Sequence, residues 1–490
     1  MKIALAQVKL RTGDFENNFK KVIENIEAAV KSKAEIVIFP QQTLCSAGIK
    51  DLCMDREFLK KQDDFLNKIA EKKYKIPVIL GSSAFCFDKC YNKFLVVVDG
   101  KIQVLEGGKF TFKDKNLVIS ENLILNTACD VFVWAKNAPF TIESNRKNIA
   151  AAKKFLKGHG CKFVYANAVA MADENIYAGQ SFALNEKGEQ VWQATICVEE
   201  LKIINFSAKY KEPFYCFEQE VFEVLTFALR EYCEVFGFKK VLLGLSGGID
   251  SALTAALAVS ALGNKNVSGI LMPSMFSSEG SVKDSEKLAK NLGIKTRTMP
   301  ITELFDHFIE DVAKERKHDV AEENLQARLR GIILMFFSNR EHHLVLSTGN
   351  KSEVAMGYAT LYGDMVGGYN LIGDLTKTRV YALSNWINRK GEVIPQDIIS
   401  KAPSAELRPG QLDEDSLPKY KVLDEIIEMY IEKELPVSEI YKNHDRALVD
   451  DTIKRIYHAQ YKRKQTCMGV RLTQRAFCSN VAIPIVQKFY

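Results

Sequence analysis

The stretch Leu243-Gly244-Leu245-Ser246-Gly247-Gly248-Ile249-Asp250-Ser251 decides how the second half of this chain is read. An apolar run over 240–245 leads into a turn of small residues, and the Ala-rich segment 252–262 that follows has helical composition. A strand, a tight turn and a helix in that order aim several backbone N–H groups and the positive end of a helix dipole at one spot. Such a spot suits a pyrophosphate. The spacing is not Gly-x-x-x-x-Gly-Lys-Ser/Thr, so no Walker lysine reaches out of the turn. Asp250 stands instead where a carboxylate could hold a metal ion beside the phosphates. An ordinary glycine-rich strand-to-helix turn is the competing reading, and only the company this loop keeps can decide.

That company is a regular alternation from about residue 221. Strands are expected over 241–245, 267–272, 295–299 and 343–347, with helices between them, one long and covering about 321–338. The pattern implies a doubly wound parallel sheet, whose ligands bind beyond the carboxyl ends of its strands. Ser246 and Thr348 both fall at such ends. Asn324-Leu325-Gln326-Ala327-Arg328-Leu329-Arg330 opens a helix and offers a permanently charged guanidinium. Thr348-Gly349-Asn350-Lys351-Ser352-Glu353 brings a hydroxyl and a second carboxylate. A polar loop, Gly357 to Asp364, follows, and Lys377-Thr378 and Ser404-Ala405-Glu406-Leu407 add a cation and hydroxyls. Any one of these residues alone reads as a solvated surface group. Together they are what adenylation needs: two carboxylates for Mg²⁺ beside a departing pyrophosphate, and cations for a crowded α-phosphorus.

Composition sets outer limits. With 490 residues, 47% apolar and 26% charged, the chain is expected to form two or three ordinary globular domains. No apolar run approaches a membrane span, and the opening Met1-Lys2-Ile3-Ala4-Leu5-Ala6-Gln7-Val8 reads as a first strand rather than a leader. Eleven scattered cysteines lack a zinc or disulfide pattern, since Cys86 and Cys90 have no second pair, so a reducing, cytoplasmic setting is expected. A net charge of +6 is too mild to argue for nucleic acid.

The motifs SGGIDS, Met272-Pro273-Ser274 with Ser277-Ser278-Glu279, ENLQARLRG, TGNKSE, GYATLYGD, PSAELRP with DEDSLP, and YKRKQ resemble NAD synthetase over 221–490. Other SGGxDS enzymes share the loop but not TGNKSE followed by GYxTxYGD. The resemblance implies an ATP-pyrophosphatase type of sheet and the conversion of deamido-NAD, ATP and ammonia to NAD, AMP and pyrophosphate. It implies ATP binding by Gly244, Leu245, Ser246, Gly247, Gly248, Ile249, Asp250, Ser251 and Thr348, and Mg²⁺ held by Asp250 and Glu353. Asn324, Glu353, Asp364 and Lys462 would contact deamido-NAD, while Arg328 and Lys377 would face phosphates.

Residues 1–205 read as strands over 3–8, 35–39, 77–81, 94–98, 117–120, 131–134, 162–166 and 181–185, with amphipathic helices between. Phe19, Val22, Ile23, Ile26 and Val30 mark one such apolar face, a second helix covers 148–157, and Asp99-Gly100 marks a hairpin. IALAQV, Ile38-Phe39-Pro40, Tyr91-Asn92, Gly108-Lys109, Asn137-Ala138-Pro139-Phe140 and Gly179-Gln180-Ser181-Phe182 resemble the nitrilase-like domain fused to glutamine-dependent NAD synthetases. That likeness implies an α-β-β-α sandwich and a Glu–Lys–Cys triad that frees ammonia from glutamine. Here the family's Phe-Pro-Glu reads Phe39-Pro40-Gln41, and its Ile-Cys-Glu-Asp-Leu reads Ile119-Ser120-Glu121-Asn122-Leu123. Lys109 survives but lies only 11 positions before Ser120, where the family carries a much longer loop. Cys45 or Cys53 near Gln41 could replace the thiol, or each could be a buried structural thiol.

The expectation is a nitrilase-like domain over 1–205 without glutaminase chemistry, a linker over 206–220 and a synthetase domain over 221–490. Ammonia would come free or from a separate glutaminase, and the chain would assemble as a homo-oligomer on a synthetase dimer. Two alternatives stay open: glutamine-dependent synthesis through an unrecognised nucleophile, and a nucleotide-binding scaffold without activity.

Overall fold

A computed structural model describes residues 1–86, 89–210 and 215–489, and divides the chain into two compact units, Met1–Val224 and Leu225–Tyr490. Residues 211–214, part of the expected linker, and the side chain of Cys86 lie outside the described residues.

The first unit runs through β1 (Ile3–Gln7), β2 (Ile36–Ile38), β3 (Val78–Cys86), β4 (Lys89–Val98), β5 (Lys101–Val104), β6 (Lys109–Phe112) and β7 (Lys115–Ser120). It continues with β8 (Val131–Lys136), β9 (Lys162–Asn167), β10 (Val169–Ala172), β11 (Asn175–Ala178), β12 (Phe182–Leu184), β13 (Gln190–Gln193) and β14 (Glu200–Ile204). Two six-stranded sheets result, ordered β14-β1-β2-β3-β4-β5 and β13-β12-β9-β8-β7-β6, with β10 and β11 forming a separate pair. Strand alternation assigns the faces. Ile3 and Leu5 join Ile36, Ile38, Val131 and Val133 in one buried cluster between the sheets. Ala4 and Ala6 turn the other way, toward Val22 and Ile26 of α1 (Phe15–Lys31) and Phe65 and Ile69 of α2 (Arg56–Glu71). On the far side, Phe132 and Phe163 pack on Ala152 and Leu156 of α3 (Ser144–Leu156). The layers are α-β-β-α, the expected sandwich. Each of these large side chains contributes about 1.5–3 kcal/mol by leaving water. The Asp99-Gly100 turn joins β4 to β5 with both residues at positive φ, 51° and 79°, as a two-residue hairpin demands.

In the chain order that follows, α4 (Phe217–Phe236) takes 217–220 from the expected linker into a helix. Its buried Val221, Val224, Leu225 and Ala228 recur at helical spacing, and Glu218 and Glu220 favour its amino end. The second unit then builds one parallel sheet from β15 (Val241–Gly244), β16 (Val267–Leu271), β17 (Lys295–Thr298), β18 (Leu344–Ser347) and β19 (Tyr369–Asn370), ordered β17-β16-β15-β18-β19. Around it lie α5 (Ile249–Leu262), α6 (Glu279–Leu292), α7 (Thr302–Phe308), α8 (Val320–Glu341), α9 (Lys351–Met356), α10 (Lys377–Ile387), α11 (Gln396–Ser400) and α12 (Tyr420–Ile427). The winding reverses between β15 and β18, so a crevice opens beyond their carboxyl ends. No described helix is long and apolar enough to cross a membrane.

Candidate functional site: a phosphate cradle and a carboxylate pair

A cavity of about 320 Å³ fills that crevice. Its floor is the loop from β15 to α5, and Gly244 through Ser251 all line it. The loop is held from within: Gly248 N–H donates to Ser246 Oγ at 3.2 Å, and Ser251 Oγ donates to Gly248 O at 3.0 Å. Gly247 has φ +77°, and a Cβ there would lie 2.5 Å from Ser281 O of α6. Only glycine satisfies both that conformation and that approach. The backbone N–H groups at the start of α5 are therefore left facing the cavity.

At the end of the loop Asp250 joins a charged cluster. Lys377 Nζ reaches Asp250 Oδ2 at 2.6 Å and Glu353 Oε1 at 3.2 Å. Asn350 Nδ2 donates to Asp250 Oδ1 at 2.9 Å. Burial opposes the charge of Lys377, yet Asp250 and Glu353 outweigh it and hold the ammonium protonated well above its ordinary range. Glu353 is pushed up to about 8, first by burial and then by Asp250 and Asp413, against the pull of Lys377. Several carboxylates thus crowd one cation. Glu353 and Asn350 also form a capping box that begins α9.

The mouth is polar. Asp364 accepts Thr360 N–H at 2.7 Å and is raised to about 6 by burial. Lys462 Nζ donates to Gly357 O and Ala359 O at 2.8 and 2.7 Å, and burial lowers its pKa against the pull of Asp364. Glu406 accepts from Ser278 Oγ and Ser281 Oγ at 2.8 and 2.7 Å, tying the 402–411 loop to the start of α6.

The cavity wall includes Thr348, Glu353, Asp364, Lys377 and Lys462, all anticipated from the sequence. It does not include Arg328 or Asn324. Arg328 is exposed and donates through Nε to Leu361 O at 3.2 Å, while Asn324 Oδ1 accepts Thr360 Oγ1 at 2.6 Å. Two arginines two positions apart on α8, Arg328 and Arg330, point to different sides. Arg330 is the one in the wall, its Nε on Met272 O at 3.0 Å, with burial lowering it to about 10. Lys401, on Ser281 Oγ and Asp284 at 2.9 Å, also lines the cavity, and no motif marked it.

In the first unit the three triad positions are differently employed. Gln41 is buried; its Nε2 donates to Glu121 Oε2 at 2.5 Å and its Oε1 accepts Asn137 N–H at 3.1 Å. Ser120 ends β7 with its Oγ accepting Asn122 N–H at 3.0 Å. Lys109 is exposed on β6. Cys45 is buried beside Ser83 Oγ, 3.6 Å away, and burial pushes its thiol up to about 11. Cys53 is buried too.

A doubly wound sheet whose first loop suits phosphate and shares a carboxylate pair with the next strand end defines an ATP-cleaving ligase. The family model for NAD synthase matches residues 221–466. The glutamine-dependent NAD(+) synthetase of Thermotoga maritima is 36% identical over 571 aligned residues, covering 100% of this chain and 99% of its own. That of Aquifex aeolicus is 32% identical over 567, covering all of both. The solved glutamine-dependent NAD+ synthetase of Acinetobacter baumannii, in complex with adenosine diphosphate, superposes with a TM-score of 0.77 at 31% identity over 99% of this chain and 98% of its own. The chain belongs to the NAD synthase family, as a two-domain ligase of ATP-dependent NAD synthesis.

Proposed function

We propose that this chain amidates deamido-NAD with ammonia taken up free or from a separate glutaminase, and that its first unit hydrolyses no glutamine. One observation carries this: the Gln41 carboxamide itself is held between Glu121 and Asn137 N–H, in the place where the family's base would act. A carboxamide cannot take a proton as a carboxylate can, and an unassisted Ser120 hydroxyl does not ionise near neutral pH. Lys109 opens β6 and Ser120 ends β7, so a single hairpin stands where the family carries a longer covering loop.

In the second unit the deamido-NAD carboxylate attacks the α-phosphorus of ATP, pyrophosphate departs, and ammonia then displaces AMP from the acyl adenylate. The 244–251 loop orients the phosphates through its backbone N–H groups. Lys377 faces the charge that builds on them, and Arg330 takes the part expected of Arg328. Asp364 and Lys462 hold deamido-NAD at the mouth, with Asn324 setting the Thr360 loop behind them. Asp250 and Glu353, brought to one point by their shared contacts with Lys377, offer the hard carboxylate oxygens that Mg²⁺ prefers and would hold it. Bound there, Mg²⁺ would neutralise charge on the departing pyrophosphate.

Leu304 and Phe308 of α7 and Ile332 and Phe336 of α8 are exposed apolar side chains, which supports a homo-oligomer built on a synthetase dimer. The ten cysteines with described side chains are free thiols, in keeping with a cytoplasmic setting. Isotope labelling tests the nitrogen source: ¹⁵N enters NAD from ammonium and not from amide-labelled glutamine. Label arriving from glutamine in the purified protein refutes the proposal.

A further inference from the structure

Behind the charged cluster lies a second layer that lines no part of that cavity and that the chemistry above leaves unused. Ser352, adjacent to Glu353, is fully buried at 0% exposure, and Asp424 of α12 is 2% exposed. Ser352 Oγ donates to Asp424 Oδ1 at 2.5 Å and accepts the backbone N–H of Lys377 at 2.9 Å. The other carboxylate oxygen, Asp424 Oδ2, accepts Thr378 N–H at 2.8 Å. The two side chains therefore satisfy two of the first N–H groups of α10, the helix that Lys377 begins. Ser352 does so from α9, which carries Glu353, and Asp424 from α12.

The result is a closed ring. Lys377 is tied to α9 at its backbone through Ser352 and at its ammonium through Glu353, 3.2 Å away. Lys351, on the other side of Ser352, is also fully buried and paired with Asp374 at 2.8 Å and Glu432 at 2.6 Å, which anchors α9 against rotation. Without the ring, a lysine with four rotatable bonds would have only its own charge contacts to set its reach.

We propose that Ser352 and Asp424 are positioning residues for adenylation, acting through Lys377 and Glu353; this rests on the role given above to that pair. Loss of the ring shifts Lys377 against the phosphates while leaving the 244–251 loop and the polar mouth in place, so it lowers kcat more than it raises either KM. A misplacement of about 1 Å at a reacting centre costs on the order of 10²-fold.

The test compares Ser352→Ala, Ser352→Thr, Ser352→Cys and Asp424→Asn in the ammonium-dependent reaction, with Lys377→Met as reference. The expected pattern is kcat down on the order of 10²-fold in Ser352→Ala, KM values for ATP and deamido-NAD within about twofold, and recovery of most of kcat in Ser352→Thr, which restores the hydroxyl. Asp424→Asn, which keeps one acceptor, falls between. If Ser352→Ala does not fold, Ser352→Cys replaces it, because sulfur fills the site but bonds weakly. Wild-type kcat in the folded alanine or cysteine variant and in Asp424→Asn, with Lys377→Met inactive, overturns the positioning role alone. Wild-type kcat in Lys377→Met overturns the underlying assignment instead. A lowered Tm with unchanged kcat marks a purely structural serine and also overturns the proposal.

Discussion

Replacing Gly247 with alanine tests the phosphate cradle at its tightest point. The new methyl would sit 2.5 Å from Ser281 O, 2.7 Å from Ser281 Cα and 2.9 Å from Ser281 C, whereas ordinary contact begins near 3.4 Å. The loop or the first turn of α6 must therefore move by about 0.9 Å. Neither yields freely, because Ser281 is also fixed by Glu406 and Lys401. A left-handed conformation costs a non-glycine residue about 1–2 kcal/mol, and overpacking a close contact adds about 1–3 kcal/mol. The variant is thus expected to lose about 2–5 kcal/mol of stability if the loop stays in place. If the loop moves instead, the strain is relieved and the N–H groups miss the phosphates, at a cost on the order of 10²-fold in kcat/KM for ATP. Calorimetry read beside ammonium-dependent NAD formation separates the two. Wild-type Tm together with wild-type kcat/KM would refute the reasoning, since no third route accommodates the methyl.

Further outcomes follow from the same geometry. Arg328→Ala keeps kcat within about threefold, whereas Arg330→Ala lowers it by roughly 10²-fold, the range seen when one transition-state donor is removed; steady-state kinetics that reverse the order would return the phosphate role to Arg328. The pair Gln41→Glu with Ser120→Cys restores no glutaminase, measured as glutamate release, because Lys109 stays exposed and no covering loop exists. Gln41→Glu alone places a second carboxylate against Glu121, so one of the pair binds a proton more tightly folded than unfolded, and Tm falls as pH rises from about 5 to 8. Glu353 follows the same sign in the native protein. Held at about 8 in the fold against about 4.3 in an unfolded chain, it takes up a proton on folding between those values. Stability of the ligand-free protein therefore falls as pH rises through that window, and Glu353→Gln flattens the profile in pH-dependent thermal melts.

The sequence was most legible where local patterns and chemistry coincide. The Gly244–Ser251 loop, Thr348, Glu353 and Lys377 were readable because each follows a strand or opens a helix, and the parallel sheet brings those ends together whatever fills the rest of the chain. The central strands of the first unit were readable because β1, β2, β8 and β9 are buried on both faces and hence largely apolar, while their α-β-β-α layering was implied by the resemblance. What escaped notice had no such signal. In β5 (Lys-Ile-Gln-Val) every residue is exposed, and β6 alternates lysine and threonine with phenylalanine at a sheet edge. The two-residue β19 follows a pair of glycines and is recognisable only from its partner β18. Arg330 drew no notice beside Arg328 because a linear motif does not state which face of α8 meets the cavity. The Ser352–Asp424 pair joins positions 72 apart in sequence, and nothing local marks such a contact.

The most direct measurement is NAD formation from deamido-NAD, ATP and Mg²⁺ by the purified full-length chain, with ammonium or glutamine as the sole nitrogen source. Turnover with ammonium and none with glutamine is the expected result, matching the proposed adenylation site of the second unit and, in the first, a Gln41 held by Glu121. Equal turnover with glutamine would contradict it and place a working nucleophile in the first unit.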